Sequence, residues 1–216
     1  ESAVRLKTVI ENNFWYNDHY SRAVLKDGAV LGKDNGFLDI LPQAFSVFAG
    51  LKNCDIAVET AVRELCDEKN RIIKLLKPPF FTDDYDKIGY IALYPRGVRE
   101  NGGQYTHAAV WLAMSLFALG KTEVGEKILD LINPVGYYKN EKTAKAYLAE
   151  PYVLAGDVYF GKNLTSRAGW THFTGSAGWF YQCVTENYSD CLIPNFKTDK
   201  KLKSKPCKVF EVDKTK

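Results

Sequence analysis

Thr106-His-Ala-Ala-Val-Trp-Leu-Ala-Met-Ser-Leu-Phe-Ala-Leu119 is the stretch that decides the fold. Its apolar residues run almost all the way round a 3.6-residue period, which predicts a helix buried on most sides. Gly120 follows, then Lys121 to Ile132, an amphipathic run that stops before Pro134. A buried helix joined through one glycine to an amphipathic one reads as a helix pair.

The same grammar extends outward. Residues 2 to 13 place Leu6, Val9, Ile10 and Asn13 on one face. Residues 42 to 51 carry Pro42 in the first turn and Gly50 near the end, and 55 to 67 offer Asp55 as an N-cap with Ala57, Ala61 and Leu65 sharing a face. Further helices are predicted over 141 to 148, 151 to 159 and 174 to 188. Two short apolar runs around Asp27-Gly28 predict one β-hairpin near residues 20 to 32. From Pro78 to Gly103 prolines, glycines and aspartates make a long irregular stretch, and such stretches inside a domain tend to be functional. The chain is therefore mainly α, with buried helices alternating with amphipathic ones. That alternation suits a toroid of inner and outer helices; a solenoid of helix pairs shares it, but no fixed-period repeat is visible.

Composition bounds the function. The 216 residues are 46% hydrophobic and 25% charged, with net charge +3, which is ordinary globular composition. Lysines 197, 200, 201, 203, 205 and 208 crowd into one end, and residues 191 to 216 read as a solvated, poorly ordered tail rather than a nucleic-acid-binding arm. No apolar run is long enough to span a bilayer. The five cysteines form no Cys-x-x-Cys pair, so no metal site is expected and a reduced, cytoplasmic setting is the simplest account. Aromatic residues, at 13%, suit either a tyrosine-rich core or stacking on sugar faces.

Two stretches carry chemistry. Tyr94-Pro-Arg-Gly-Val-Arg-Glu-Asn-Gly-Gly-Gln-Tyr-Thr-His107 feeds arginines, a carboxylate, amides and an imidazole through a glycine-permissive loop into the buried helix. Its bland reading pairs Arg96, Arg99 and Glu100 with one another and leaves His107 to cap its helix; the density of hydrogen-bonding groups favours a ligand site instead. Gly169-Trp-Thr-His-Phe-Thr-Gly-Ser-Ala-Gly-Trp179 opens a helix at Thr174, and the free N–H groups and positive dipole end of such a turn attract anions. Alone that turn is an ordinary cap. With His107 as a partner it becomes an anion site.

These stretches, with Glu150-Pro-Tyr-Val153 and Trp15-Tyr-Asn-Asp-His-Tyr-Ser-Arg-Ala23, resemble glycoside hydrolase family 94 in the family's order over residues 1 to 190. The family holds cellobiose and chitobiose phosphorylases and the phosphorylase-like domain of cyclic β-1,2-glucan synthases; the wording of the loop is nearer the β-1,2-glucan members. The resemblance implies part of an (α/α)6 barrel over residues 1 to 190 and phosphorolysis of a β-glucoside with inversion, giving a sugar 1-phosphate. It implies phosphate ligands at His107, Thr174 and Gly175, and a sugar ligand at Glu100, with Gln104 and Tyr94 as further candidates. Phosphate and a β-linked oligosaccharide would be the substrates, with no cofactor and no metal.

The family's catalytic aspartate sits in a Trp-Asn-Asp-Gly motif expected upstream of these residues. Asp18 is not that acid, because its spacing differs and no glycine follows. The chain alone is accordingly expected to be silent, as a piece of a longer enzyme, a truncated gene product or one partner of an assembly, either with the missing half of the barrel or as a homodimer. A non-catalytic carbohydrate-binding fragment is the alternative. Hydrolysis would need a second carboxylate; Asp39 and Asp157 are available but read as structural.

Overall fold

The buried helix forms where its pattern requires, over Thr106–Ala118. It terminates by a local device. Gly120 takes φ of +73°, its N–H reaches the Phe117 carbonyl at 2.9 Å, and the Lys121 N–H reaches Leu116 at 2.9 Å. This is the paired bonding that closes a helix at a left-handed glycine, where a side chain would be strained. The chain then turns directly into the amphipathic helix Thr122–Ile132.

The computed structural model describes residues 2–33, 36–161, 164–173 and 175–187. Within them the helices are α1 (Ser2–Asn13), α2 (Ile40–Phe48), α3 (Cys54–Leu65), α4 (Tyr85–Ile88), α5 (Thr106–Ala118), α6 (Thr122–Ile132), α7 (Pro134–Tyr137), α8 (Glu141–Tyr147) and α9 (Gly175–Asn187). Short antiparallel strand pairs join them, and the protein is mainly α. Helix α5 is the hub. It packs against α2, α6 and α9, and its alanines 108, 109 and 113, all fully buried, let those neighbours approach closely. Leu112, Met114 and Leu116 fill the same core with Ile128 and Leu129 of α6 and Val58 and Leu65 of α3.

The expected hairpin is present, with Ala23 opposite Leu31 and Val24 opposite Val30. Three expectations need correction. Helix α2 begins at Ile40, because the buried Asp39 carboxylate caps it by accepting from the Leu41 N–H at 2.7 Å; Pro42 lies inside the first turn. Helix α3 begins after Asn53, so Asp55 is a first-turn acid and not the cap. Residues 151 to 159 are not a helix. Asp157–Val158 is the middle strand of a three-stranded sheet between Gln104–Tyr105 and Ala168–Gly169. A short apolar run fits either period, and here pairing on both sides decides it. Backbone bonds outside the strands extend the join, from Thr106 N–H to Gly156 and from Gly156 N–H to Trp170.

Thr174 and the lysine-rich residues 191 to 216 lie outside the described residues. Among those described, no helix is long and apolar enough to cross a membrane.

Because α5 is the hub, Leu112→Ala is expected to destabilise the protein by about 2–5 kcal/mol. Lys127→Ala, which removes an exposed 2.6 Å ion pair with Glu68, is expected to change stability by about 0.5 kcal/mol or less. Hydrogen exchange of the α5 amides in the complete gene product distinguishes the two.

Candidate functional site

The loop before α5 is held from within. Asn101 is fully buried, and its side chain accepts from the Phe80 N–H at 2.7 Å while donating to the carbonyls of Phe80 at 3.1 Å and Tyr94 at 2.8 Å. One amide thus ties residue 80 to the start of the motif and removes three backbone groups from the unpaired list. Gly97, at φ +86°, lies so close to the Phe160 carbonyl that a Cβ would sit 1.8 Å from its oxygen. That contact docks the loop on the chain leaving the three-stranded sheet, since the Phe160 N–H donates to the Gly97 carbonyl at 2.7 Å.

Held this way, the motif distributes its side chains to different tasks. Gln104 is 1% exposed; its carbonyl accepts from the Ile73 N–H at 3.0 Å and its amide donates to Thr106 at 3.3 Å. Gln104 therefore braces the loop floor. Arg99 lays its guanidinium 3.8 Å over the Trp170 ring and 5.2 Å over Tyr94, and its Nε approaches Glu100 at 3.3 Å. The pairing foreseen among Arg96, Arg99 and Glu100 is thus half realised; Arg96 leaves it to lie 4.1 Å over Phe81.

His107 does not cap its helix. The half-buried ring stacks on Tyr105 at 5.5 Å and tilts against Trp111 at 5.6 Å. Its far edge reaches the start of α9. A Cβ placed on Gly175 would lie 2.7 Å from both Cε1 and Nε2 of His107. Glycine is what lets the imidazole touch the turn where α9 exposes its first N–H groups. Burial holds the His107 pKa below its ordinary 6.5, so the ring is neutral at pH 7.

Beside this contact opens a cleft of about 250 Å³. It is lined by His107, Gly175 and Ser176, by the aromatic rings of Tyr105, Trp170 and Phe173, and by Arg99 and Asp157. Two buried polar groups in it lack partners among the described residues: the Ser176 hydroxyl, 1% exposed, and both carboxylate oxygens of Asp157, 3% exposed. Burial pushes the Asp157 carboxyl up to about 6, while the Arg99 charge and its nearby backbone pull partway back without a well-formed bond. The sequence reading took Asp157 for structural. The helical reading of 151 to 159 hid it, and the available signal was a lone acid inside the apolar run from Val153 to Phe160.

The profile of the glycosyl hydrolase 94 superfamily catalytic domain matches residues 1–188 of this chain. The chain belongs to that family. It is 39% identical over 187 residues to the cyclic beta-(1,2)-glucan synthase NdvB of Rhizobium meliloti (strain 1021), covering 84% of this chain and 7% of that protein. Identity is 28% to the N,N'-diacetylchitobiose phosphorylase of Vibrio proteolyticus, over 87% of this chain and 24% of the relative. It is 26% to the solabiose phosphorylase of Paenibacillus borealis, over 96% and 27%. The chain thus spans about a quarter or less of the length of these relatives.

The other acids weighed from the sequence have structural tasks. Asp39 is fully buried, caps α2 and pairs with Arg22. Asp18 accepts from Arg63 at 2.8 Å and Thr60 at 3.0 Å. Partial burial pushes its pKa up, but hydrogen bonds from His19, Arg63 and Thr60 outweigh that and hold it low, so it is ionised and cannot serve as an acid near neutral pH. Among the described residues no group of three or more His, Cys, Asp or Glu could hold a metal ion.

A carboxylate without partners destabilises the fold that contains it. The folded Asp157 pKa, about 6, lies above its ordinary 3.8. The folded state then binds more protons between those values, and stability falls as pH rises through that window. Asp157→Asn is expected to stabilise the protein above pH 6 by about 3 kcal/mol at most. The gain should shrink as pH falls through 6 and vanish only below 3.8, as followed by denaturant unfolding across pH.

Proposed function

We propose that these residues supply the phosphate site and part of the sugar site of an inverting glycoside phosphorylase acting on a β-linked glucoside, to give a sugar 1-phosphate. The observation that carries this reading is the His107 imidazole lying against Gly175, where α9 begins. A ring N–H and the N–H groups of a helix start converge there, and such a place suits a tetrahedral oxyanion. Thr174, which precedes Gly175 in the sequence, is the third proposed ligand.

In this reaction a phosphate oxygen attacks the anomeric carbon while a carboxylic acid protonates the departing sugar oxygen. Phosphate takes the place that activated water holds in an inverting hydrolase, so one carboxyl group suffices. The acid belongs to a segment other than residues 1 to 216. Phosphate is a substrate, and no cofactor is required. His107 and the start of α9 orient the nucleophile and hold its charge, which is where fixed dipoles act best. Glu100 is the proposed ligand for a sugar hydroxyl, and Tyr94 joins it through Arg99, which contacts both. Gln104 contributes by fixing the loop that carries them. The 39% identity to a cyclic β-1,2-glucan synthase favours a β-linked glucan as the sugar substrate, and the phosphorylases among the relatives favour phosphate as the nucleophile.

In the complete gene product, with a β-linked glucan oligosaccharide and phosphate, sugar 1-phosphate is the expected product. His107→Ala is expected to raise KM for phosphate about tenfold or more, as losing one bond to an ionised ligand would, with an unfolding midpoint close to wild type. Equal phosphate dependence in both proteins would remove His107 from the site. Sugar release without phosphate would make hydrolysis the reaction, with Asp157 as the second carboxylate.

The protonation state of His107 gives a second check. Burial lowers its pKa in the empty site, and a bound anion favours the imidazolium and raises it again. Sulfate, which does not titrate between pH 5 and 8, is expected to bind more tightly as pH falls. It should also move the His107 midpoint upward in an NMR titration, whereas His107→Gln should bind sulfate with little pH dependence.

A further inference from the structure

The cleft beside His107 holds an acceptor that an anion site does not need. Asp157 is 3% exposed and its two oxygens lack hydrogen-bond partners among the described residues. It cannot swing away to find water. Its backbone is the middle strand of the three-stranded sheet, opposite Tyr105 on one side and Gly169 on the other. At Gly169 the absent side chain leaves the carboxylate its space, because a Cβ there would lie 2.6 Å from Oδ1 of Asp157 and 2.6 Å from the Tyr159 hydroxyl. A buried carboxylate kept without partners is costly, and the compensation comes when a ligand brings donors.

The same cleft also holds donors. Ser176, also buried and without a hydrogen-bond partner among the described residues, stands in the first turn of α9 next to the Gly175 contact with His107. The cleft therefore brings together a carboxylate with Arg99 near it, and an imidazole, a hydroxyl and the start of a helix; Tyr105, Trp170 and Phe173 line it as well. A second anion would be repelled by Asp157, and an apolar ligand would leave both polar groups bare. A ligand that combines hydroxyl donors, an oxyanion and an apolar ring face satisfies all three kinds of lining.

We propose that Asp157 is a sugar-binding residue of this site, accepting hydrogen bonds from ring hydroxyls of a hexopyranosyl unit whose 1-phosphate group rests between His107, Ser176 and the start of α9. This rests on the phosphorylase reading and deepens it by assigning one cleft to both ends of a glycosyl phosphate.

The test uses the complete gene product and three probes: inorganic phosphate, α-D-glucose 1-phosphate, and its analogues with single hydroxyls removed. Asp157→Asn keeps the size of the side chain and relieves its charge, so the fold is expected to be retained, which a melting curve checks. It is expected to weaken glucose 1-phosphate about ten- to hundredfold, the usual loss for hydrogen bonds to an ionised acceptor, while phosphate alone binds within about threefold of wild type. At least one deoxy analogue should bind the wild type poorly and suffer no further loss in Asp157→Asn, since the bond is then already gone. Gly169→Ala, which displaces the carboxylate without altering it, should show the same selective loss.

If Asp157→Asn binds glucose 1-phosphate as wild type does, or loses both probes equally, the assignment of Asp157 is overturned while the phosphorylase reading stands. If the wild type binds neither probe, the phosphorylase reading falls and takes the assignment with it.

Discussion

An imidazole edge touching a residue that has no side chain is the contact on which the site depends. His107 and Gly175 belong to helices far apart in the chain, and they meet because α5 and α9 pack on each other through the common core. Any Cβ at 175 would collide with the ring at 2.7 Å. The contact thus fixes how close two helices come at one end, and with it the distance between a ring nitrogen and the free N–H groups of a helix start. Since hydrogen bonds weaken steeply beyond about 3.2 Å, the glycine is a chemical requirement as much as a packing one.

Around that contact the structure separates what must be rigid from what must stay unsatisfied. Asn101 and Gln104 direct their hydrogen bonds to the protein itself, closing the loop from Tyr94 to Tyr105 onto the chain near Phe80 and Ile73. Asp157 and Ser176, equally buried, spend none among the described residues. The difference is one of task. A polar group that braces a loop gains by being satisfied in the empty protein, whereas one that reads a ligand must be held bare until the ligand arrives. The destabilisation is kept local, because the strand carrying Asp157 is paired on both sides and the join is extended by the Thr106–Gly156 and Gly156–Trp170 bonds.

The same logic accounts for the division of labour among the acids. Asp39 is as buried as Asp157, yet it caps α2 and pairs with Arg22. Asp18 is more exposed and bound by three neighbours. Burial alone does not mark a functional carboxylate; burial combined with missing partners and an open cleft does.

By itself the sequence determined most of the longer helices and the burial of α5, and it named His107 as the candidate partner for the start of the last helix. The helices follow from local periods and a glycine stop, encoded within a few turns of chain, whereas the contact of His107 with Gly175 is made by the packing of α5 on α9. Only the tertiary structure decided that residues 151 to 159 are extended, that Gln104 is a brace and that Asp157 faces a cleft. Strand pairing and the absence of hydrogen-bond partners are properties of segments distant in the chain, Gln104–Tyr105, Asp157–Val158 and Ala168–Gly169. No window of neighbouring residues can report whether a carboxylate will be met or left bare, because the groups that would meet it are brought there by folding.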